Sequence, residues 1–393
     1  MILAVYQDEK VVSLTCNPVK ISGRGATGFQ ATMASIRASI AGISQIGLTA
    51  RVYLWNSVDN LIPYGEPIKI IDEAAVIPFT DANIKYIGRW QQLGSSAKSN
   101  WGGAYFKTNF TGNSVKLDLG GPCNIYVSID GGEDVPYSVT GAGVVTITPA
   151  GLGNGQHTLR VSSKYTFDTV LLKNIILKGG CGLSAPYVSG KMIEYIGDSN
   201  TAGYLLPNNA LDNYSWIVSE ALGVEHVHIA YTGMALSDGI FNNNINRDVG
   251  MSVEFFKTNP LDERNAADWS FSYTPDVVVI NLGGNDANPT AVPGGVAAFA
   301  QQFPGFLTNL RNQYQNAQIV VLIPTTNSVP TQITEGVNSY KTSSGDNKIT
   351  LLNAYNWIKN EPGCLLGDNV HLSEYGNEIV AGYLYEAIEP YLN

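Results

Sequence analysis

The 393-residue sequence predicts three consecutive parts: a small β-sandwich over residues 1–78, an all-β domain over 79–185, and an α/β domain with a parallel sheet over 186–393. Its length allows roughly two or three domains. Up to about residue 180, short apolar runs alternate with turn sequences and show no strong helical periodicity. From about residue 188, apolar runs alternate with helical stretches, which is typical of a parallel sheet covered on both faces.

The first part contains apolar runs at the spacing of short strands. The predicted strands are 2–6, 19–21, 50–55 and 68–71, and the turn-rich segment 56–60 separates the last two. This spacing fits a small β-sandwich.

The second part contains denser strands. They are predicted at 115–119, 124–130, 144–147 and 157–161, with turns at Asp130-Gly131-Gly132 and Asn154-Gly155. Short strands at this density indicate a sandwich or a jelly roll.

The third part contains predicted strands at 192–196, 224–229, 276–281, 318–323 and 349–352. Helices are predicted at 214–222, 296–314 and 374–391. We expect Pro304 to kink the second helix and Ser373 to cap the amino terminus of the third.

The composition restricts the classes of partner. Charged residues make up 14% of the chain, against about 25% in ordinary soluble proteins. The net charge of −10 argues against nucleic acids and anionic membranes, which bind basic surfaces. No run of 18 apolar residues is present, and the first residues lack the pattern of a signal peptide. Two interpretations stay open: a protein that is not secreted, or a secreted protein whose leader has been removed.

The segment 193–204, Ile-Glu-Tyr-Ile-Gly-Asp-Ser-Asn-Thr-Ala-Gly-Tyr, is the most informative stretch. A predicted strand stops at Gly197, and Ser199 lies on the tight turn that follows. Such a turn exposes a hydroxyl group at the carboxyl end of a strand, where open α/β sheets bind their ligands. Ser199 is therefore a candidate nucleophile that requires a base and an oxyanion hole.

The candidate base is His371, which lies just before the last predicted helix with Asp368 three residues upstream. A carboxylate at that distance can bond the far ring nitrogen, fix the tautomer and stabilise the imidazolium ion. The alternative is a loop aspartate and a histidine near a helix start that share no role.

Other histidines and the cysteines fit different roles. His157 is interpreted as a surface strand residue, whereas His226 and His228 share one face of a predicted strand. These two could bind a metal, but no third ligand is evidently spaced to complete the set, so we expect no metal and no cofactor. The cysteines are too far apart for a paired zinc pattern. We expect buried free thiols, with a Cys123–Cys181 disulfide as the alternative.

Two candidate oxyanion donors follow other strands. Asn285 comes after the apolar strand and glycine pair of 277–284, and its side-chain amide can face a developing oxyanion. Gly233 offers a backbone N–H after Tyr231-Thr232. The alternatives are an Asx turn at Asn285 and a glycine that merely allows a tight turn.

In chain order, Ser199, Gly233, Asn285 and His371 match the four blocks after which the SGNH (GDSL) hydrolases are named, and residues 190–393 resemble this family. The resemblance implies a flavodoxin-like three-layer α/β/α fold with a parallel sheet. Asn200 departs from the pattern, because many members have Leu or Ile there, and we expect this difference to leave catalysis undisturbed.

The upstream parts resemble other known domains. The phrases at 84–90, 126–131 and 152–159 are similar to the amino-terminal jelly-roll domain of the second family of carbohydrate esterases, which includes acetylxylan esterases. The segment 179–183 joins this domain almost directly to the catalytic strand. Residues 1–78 resemble the small immunoglobulin-like modules of bacterial surface glycan enzymes.

Together these resemblances imply an esterase that removes acetyl groups from plant polysaccharides such as xylan or mannan. Ser199 would attack the ester, His371 would take its proton, and Asp368 would orient His371. The backbone amides of Ser199 and Gly233 and the side chain of Asn285 would hold the oxyanion. Since sugar rings stack on aromatic faces, Tyr204, Trp269 and Trp357 are candidate substrate contacts.

Two alternatives stay open: a broad short-chain esterase or lipase, and a non-catalytic glycan-binding surface protein. The expected partner is an acetylated polysaccharide or oligosaccharide, with no nucleic acid and no membrane. The expected location is extracellular or at the cell surface, and the cytoplasm is not ruled out. The sequence leaves open the polysaccharide, the hydroxyl position, the role of residues 1–78 and the oligomeric state.

Overall fold

The computed structural model describes residues 74–166, 168–260 and 263–393, together with six strands between residues 2 and 71. The six strands are β1 (Ile2–Gln7), β2 (Lys10–Cys16), β3 (Ile21–Gly25), β4 (Gly28–Ala31), β5 (Leu48–Tyr53) and β6 (Ile68–Ile71). An antiparallel sheet has the order β2-β1-β5-β6, and β3 pairs with β4. Predicted strands 2–6 and 68–71 correspond to β1 and β6. Residues 19, 20, 54 and 55 of the other two predictions lie outside the described residues.

The second part is a sandwich of two antiparallel sheets. Its strands are β7 (Ala75–Pro78), β8 (Lys85–Ile87), β9 (Gln91–Leu93), β10 (Ser96–Ser99), β11 (Tyr105–Gly112), β12 (Val115–Leu119), β13 (Cys123–Ile129), β14 (Val135–Val139), β15 (Gly143–Thr146), β16 (Gly155–Ser163), β17 (Val170–Leu177) and β18 (Leu183–Ser184). One sheet has the order β15-β12-β17-β10-β9 with β7 beside β17. The other has the order β14-β13-β16-β11-β18 with β8 beside β11. Strand β7 therefore belongs to this sandwich, although the predicted boundary after residue 78 assigns it to the first part.

The third part is built on a five-stranded parallel sheet. Its strands are β19 (Met192–Gly197), β20 (Glu225–Ala230), β21 (Val277–Asn281), β22 (Gln318–Ile323) and β23 (Ile349–Asn353), in the order β20-β19-β21-β22-β23. Strand β19 pairs on one side with β20 and on the other with β21. This order is the flavodoxin-like one, with a crevice beside the first strand where the winding direction changes.

Helices cover both faces of this sheet. They are α1 (Ser199–Ala202), α2 (Tyr214–Leu222), α3 (Met251–Glu254), α4 (Gly295–Gln313), α5 (Pro330–Ser344), α6 (Tyr355–Ile358) and α7 (Glu374–Ile388). Apolar residues of α4 and α5 pack in one core, which continues into the sandwich. Those of α2, α6 and α7 pack in a second core on the opposite face. The predicted α/β fold with an all-β domain before it is therefore confirmed.

The local predictions agree with this architecture except at a few positions. Helix α4 runs through Pro304, and the Ser373 side chain caps α7 by accepting a hydrogen bond from Gly376 N (3.0 Å). Helix α5 is absent from the predicted set. Cys123 and Cys181 are free thiols, so the disulfide alternative does not form. Within the described ranges, no helix is long and apolar enough to cross a membrane.

Candidate active site

The turn after β19 places Ser199 at the first position of α1. Asp198 precedes it, and its side chain accepts a hydrogen bond from Asn200 N (3.1 Å). Gly197 ends the strand against the side chain of Thr201, and a Cβ atom at Gly197 would overlap that side chain. A residue with a side chain at position 197 would therefore displace the turn that presents Ser199.

The loop before α7 brings His371 to this turn. His371 Nε2 lies 2.9 Å from Ser199 Oγ, and His371 Nδ1 lies 2.6 Å from Asp368 Oδ2. The other carboxylate oxygen of Asp368 accepts hydrogen bonds from Val370 N (2.9 Å) and His371 N (3.0 Å). The structure thus brings together the three residues predicted to form a Ser-His-Asp set.

The electrostatics of Asp368 suit a group that stays ionised. Partial burial acts to raise the pKa of Asp368, but the hydrogen bonds from the His371 ring and from two backbone amides outweigh it. The pKa of Asp368 therefore falls from 3.8 to about 2. At neutral pH this carboxylate can stabilise positive charge on His371.

Asp198 is a second carboxyl group beside the nucleophile. Unlike the environment of Asp368, its environment favours the protonated form. Its side chain is 5% exposed. Burial raises the pKa of Asp198 to about 6, although hydrogen bonds from Asn200 N and from the Asn285 side chain act to lower it. This property has no signal in the sequence, because burial of a turn residue depends on the elements packed around it.

Gly233 and Asn285, the two predicted oxyanion donors outside the nucleophile turn, both lie beside Ser199 in the cleft. Strands β19, β20 and β21 end in register, so the segments after β20 and β21 arrive beside Ser199. Gly233 has a φ angle of +83°, and a Cβ atom there would meet the Ile245 side chain. Asn285 Nδ2 donates to Met234 O (3.0 Å) and makes a longer contact with Asp198 Oδ2 (3.4 Å).

These residues line an open cleft of about 890 Å³. Its lining includes six asparagines and two tyrosines, and no lysine or arginine among the described residues. The asparagines are Asn200, Asn244, Asn281, Asn285, Asn288 and Asn369. Apart from Asp198 and His371, the cleft therefore offers neutral hydrogen-bonding groups, which suit hydroxylated, uncharged ligands.

Both tyrosines lie close to the catalytic candidates. The Tyr204 ring packs edge-on against His371, with ring centroids 5.0 Å apart. Tyr165 comes from the sandwich, in the connection between β16 and β17, and lines the same cleft. Tyr165 has no signal in the sequence that marks it as a cleft residue, because only the docking of the sandwich brings it to the parallel sheet.

The two tryptophans predicted to contact substrate lie elsewhere, so their positions do not support that prediction. Trp269 is buried beside Arg89, whose guanidinium carbon lies 5.5 Å from the ring centroid. Trp357 stacks on Tyr383 of α7, with ring centroids 5.6 Å apart. Neither residue lines the cleft. Aromatic content alone could not distinguish core and helix-packing residues from cleft residues.

The remaining histidines lie outside the cleft lining. His226 and His228 are buried with His226 Nδ1 3.0 Å from His228 Nε2, and His157 Nδ1 lies 2.7 Å from Asp130 Oδ2. Over the described part of the chain, no cluster of three or more His, Cys, Asp or Glu side chains is placed to hold a metal ion.

Comparison with known families agrees with this geometry. Residues 193–384 match the family of GDSL-like lipases/acylhydrolases, and residues 86–167 match the carbohydrate esterase 2 N-terminal family. Residues 193–384 therefore form a GDSL-like lipase/acylhydrolase domain. The sandwich is the carbohydrate esterase 2 N-terminal domain, as the sequence resemblance implies.

Curated relatives of this chain include the cellulase/esterase CelE of Acetivibrio thermocellus, which is 27% identical over 241 residues. That match covers 56% of this chain and 28% of CelE. The acetylxylan esterase / glucomannan deacetylase of Cellvibrio japonicus is 25% identical over 182 residues, covering 43% of this chain and 49% of that protein. The chain thus spans less than half the length of each of these two relatives.

Solved structures share the fold. A family two carbohydrate esterase from Clostridium thermocellum, in complex with cellohexaose, superposes with a TM-score of 0.68 at 24% identity. The superposition covers 78% of this chain and 98% of that one. The similarity confirms the combination of an SGNH domain with an amino-terminal antiparallel domain.

Proposed function

We propose that this SGNH hydrolase is a carbohydrate O-acetylesterase, which removes acetyl groups from plant polysaccharides such as acetylated xylan or a related polymer. The observation that carries the proposal is the chain of hydrogen bonds from Ser199 through His371 to Asp368 in a polar cleft. The relatives named as esterase and deacetylase support the acetyl group and the sugar.

The geometry supports acyl transfer in two steps. Ser199 Oγ attacks the acetyl carbonyl carbon while His371 Nε2 takes the hydroxyl proton, and Asp368 stabilises the imidazolium ion. His371 then gives this proton to the sugar oxygen, the ester C–O bond breaks, and acetyl-Ser199 forms. Water attacks the acetyl group as His371 takes one of its protons, and acetic acid leaves as this proton returns to Ser199 Oγ; the acid then ionises to acetate in neutral solution.

The tetrahedral intermediate carries a negative oxygen in each step. We assign its stabilisation to the backbone N–H groups of Ser199 and Gly233 and to Asn285 Nδ2. Asn285 has one strong contact, to Met234 O, and one long contact, to Asp198. The long contact is the weaker one and can be exchanged for the oxyanion at the smaller free-energy cost.

The cleft lining favours a sugar ester over a lipid ester. The lining is mainly amide, hydroxyl and aromatic, with isolated apolar side chains such as Ile245 and Val370. A long acyl chain needs a continuous apolar channel to gain binding energy. The uncharged polar composition of the chain suits action outside the cell or at its surface.

The test is acetate release from acetylated xylan, acetylated glucomannan and monosaccharide acetates by the full chain and by Ser199→Ala. We expect release by the wild type and near-total loss in the variant. A series of 4-nitrophenyl esters of increasing acyl length separates the alternatives. A preference for long chains would reject the acetyl assignment, and turnover by Ser199→Ala would reject the nucleophile.

A further inference from the structure

Asn200, the residue after the nucleophile, is the position at which this chain departs from the usual SGNH pattern. Its side-chain amide bridges two segments that are 172 residues apart: Asn200 Oδ1 accepts a hydrogen bond from Leu372 N (3.1 Å). Asn200 Nδ2 donates to Val370 O (3.2 Å). These two backbone groups flank His371 on either side.

We propose that Asn200 is a positioning residue that holds His371 against Ser199, an inference that rests on the proposed acyl-transfer function. This proposal replaces the expectation, stated from the sequence, that Asn in place of Leu or Ile at position 200 leaves catalysis undisturbed. A Leu or Ile side chain has no hydrogen-bonding atoms and could form neither of the two contacts.

The two contacts complete the pairing of the histidine segment. The segment around His371 is also held by two backbone hydrogen bonds: Leu366 N donates to His371 O (2.8 Å), and Ser373 N donates to Cys364 O (2.9 Å). Val370 O and Leu372 N take no part in these contacts and pair with the Asn200 amide.

Asn200 is itself held on the nucleophile side. Its backbone N–H donates to Asp198 Oδ1 (3.1 Å), and its carbonyl oxygen accepts from Asn213 Nδ2. Asn213 also lies 3.4 Å from Asn377 Oδ1 on α7, the helix that follows His371. The nucleophile turn and the histidine segment are therefore connected directly through Asn200 and indirectly through Asn213.

This arrangement predicts an effect on the chemical step. The 2.9 Å separation of Ser199 Oγ and His371 Nε2 depends on two segments from distant parts of the chain. Without the amide, Val370 O and Leu372 N lose these two hydrogen bonds, and the segment keeps its contacts to Cys364, Leu366 and Asp368. A displacement of about 1 Å between reacting groups can lower the rate about 100-fold.

The test compares the full-length wild type with Asn200→Leu, which has similar size and no polar atoms. We expect kcat to fall about 10- to 100-fold, by the same factor for 4-nitrophenyl acetate and for an acetylated xylo-oligosaccharide, with KM within about twofold. Inactivation by diisopropyl fluorophosphate should slow in parallel. The far-downfield proton signal of His371 Nδ1–H should broaden or disappear from the NMR spectrum.

Two further variants serve as controls. Asn200→Ala removes the same contacts without adding a branched apolar group, and should show the same loss if Asn200→Leu does not fold. Asn356→Leu makes the matched change at an exposed position of α6, where the side chain accepts only from Lys359, and should match the wild type.

The outcomes separate the inference from the proposed function. Wild-type kcat and inactivation rate in both Asn200 variants would overturn the inference. An increase in KM for the oligosaccharide alone would also overturn it, because Asn200 would then be a substrate contact. The wild type could hydrolyse no acetate ester while the fluorophosphate inactivates both Asn200 variants more slowly than it inactivates the wild type. In that case the inference about Asn200 stands and the acetylesterase proposal fails.

Discussion

Replacement of Asp368 tests whether it sets the tautomer of His371 or only adds negative charge. In the wild type, Asp368 Oδ1 accepts from Val370 N and His371 N, and Oδ2 faces His371 Nδ1. In Asp368→Asn, the amide oxygen must stay toward the two backbone N–H groups. Its NH₂ group then faces Nδ1, which places the ring proton on Nε2, where it blocks removal of the Ser199 proton.

The magnitude follows from the environment of the carboxylate. A fall in pKa from 3.8 to about 2 corresponds to about 2.4 kcal/mol at 1.36 kcal/mol per pH unit. The side chain is 38% exposed, so solvent screening reduces this to roughly 1 kcal/mol. Loss of charge alone in Asp368→Ala should therefore lower kcat/KM about fivefold. The wrong tautomer in Asp368→Asn should lower it about 100- to 10,000-fold.

The assay is kcat/KM for 4-nitrophenyl acetate near neutral pH, with thermal unfolding followed in parallel. Asp268→Asn is the matched control, because that side chain is 84% exposed and pairs only with Lys257. The reasoning predicts that Asn at position 368 is more harmful than Ala. If Asn were equal to Ala, or if both were within about twofold of the wild type, the tautomer argument would be refuted.

Three other predictions concern stability and binding. Arg89→Met should lower the free energy of unfolding by about 3–5 kcal/mol in denaturant titrations, since buried Glu194 would lose its cation, 3.7 Å away; an unchanged midpoint would contradict it. Between about pH 4 and 6 the folded chain holds the Asp198 proton more strongly than the unfolded chain, so this group lowers stability as pH rises through that window. Asp198→Asn should therefore raise the melting temperature near pH 7 and not below about pH 4; an equal shift at both would argue against this. Tyr165→Ala should raise KM for acetylated oligosaccharides several-fold but not for 4-nitrophenyl acetate, and equal effects on both would exclude a sugar contact.

The parallel sheet could be predicted because its strands are mainly apolar segments between polar turns, most clearly β21 and β22. Strands buried on both faces leave this signal in the sequence wherever they pair. Helix α5 lacks a comparable signal, since only Ile333, Val337 and Tyr340 form its apolar side. The spacing of these three residues, between Pro330 at the start and Gly345 at the end, is the signal in the sequence that could have predicted this helix.

Ser199, Asp368 and His371 could be proposed from sequence because each has a local signal: a serine on a strand-to-helix turn, or an aspartate three residues before a histidine. Tyr165 and Trp269 show the limit of such reasoning. One tyrosine of the sandwich reaches the cleft, while a tryptophan of the SGNH domain is buried against Arg89. Nothing in the neighbouring residues distinguishes these two environments.

Strand and turn patterns along the chain were sufficient to predict an α/β domain with a parallel sheet, because they depend on short-range backbone geometry. The SGNH fold and the candidate site residues followed from the resemblance of four short motifs to that family. The tertiary structure was required for everything that depends on distance between remote segments. It showed the burial that raises the pKa of Asp198, the entry of Tyr165 into the cleft, and the two hydrogen bonds of Asn200 around His371. Hydrogen bonds and desolvation act over a few ångströms, and only the folded chain determines which atoms come that close.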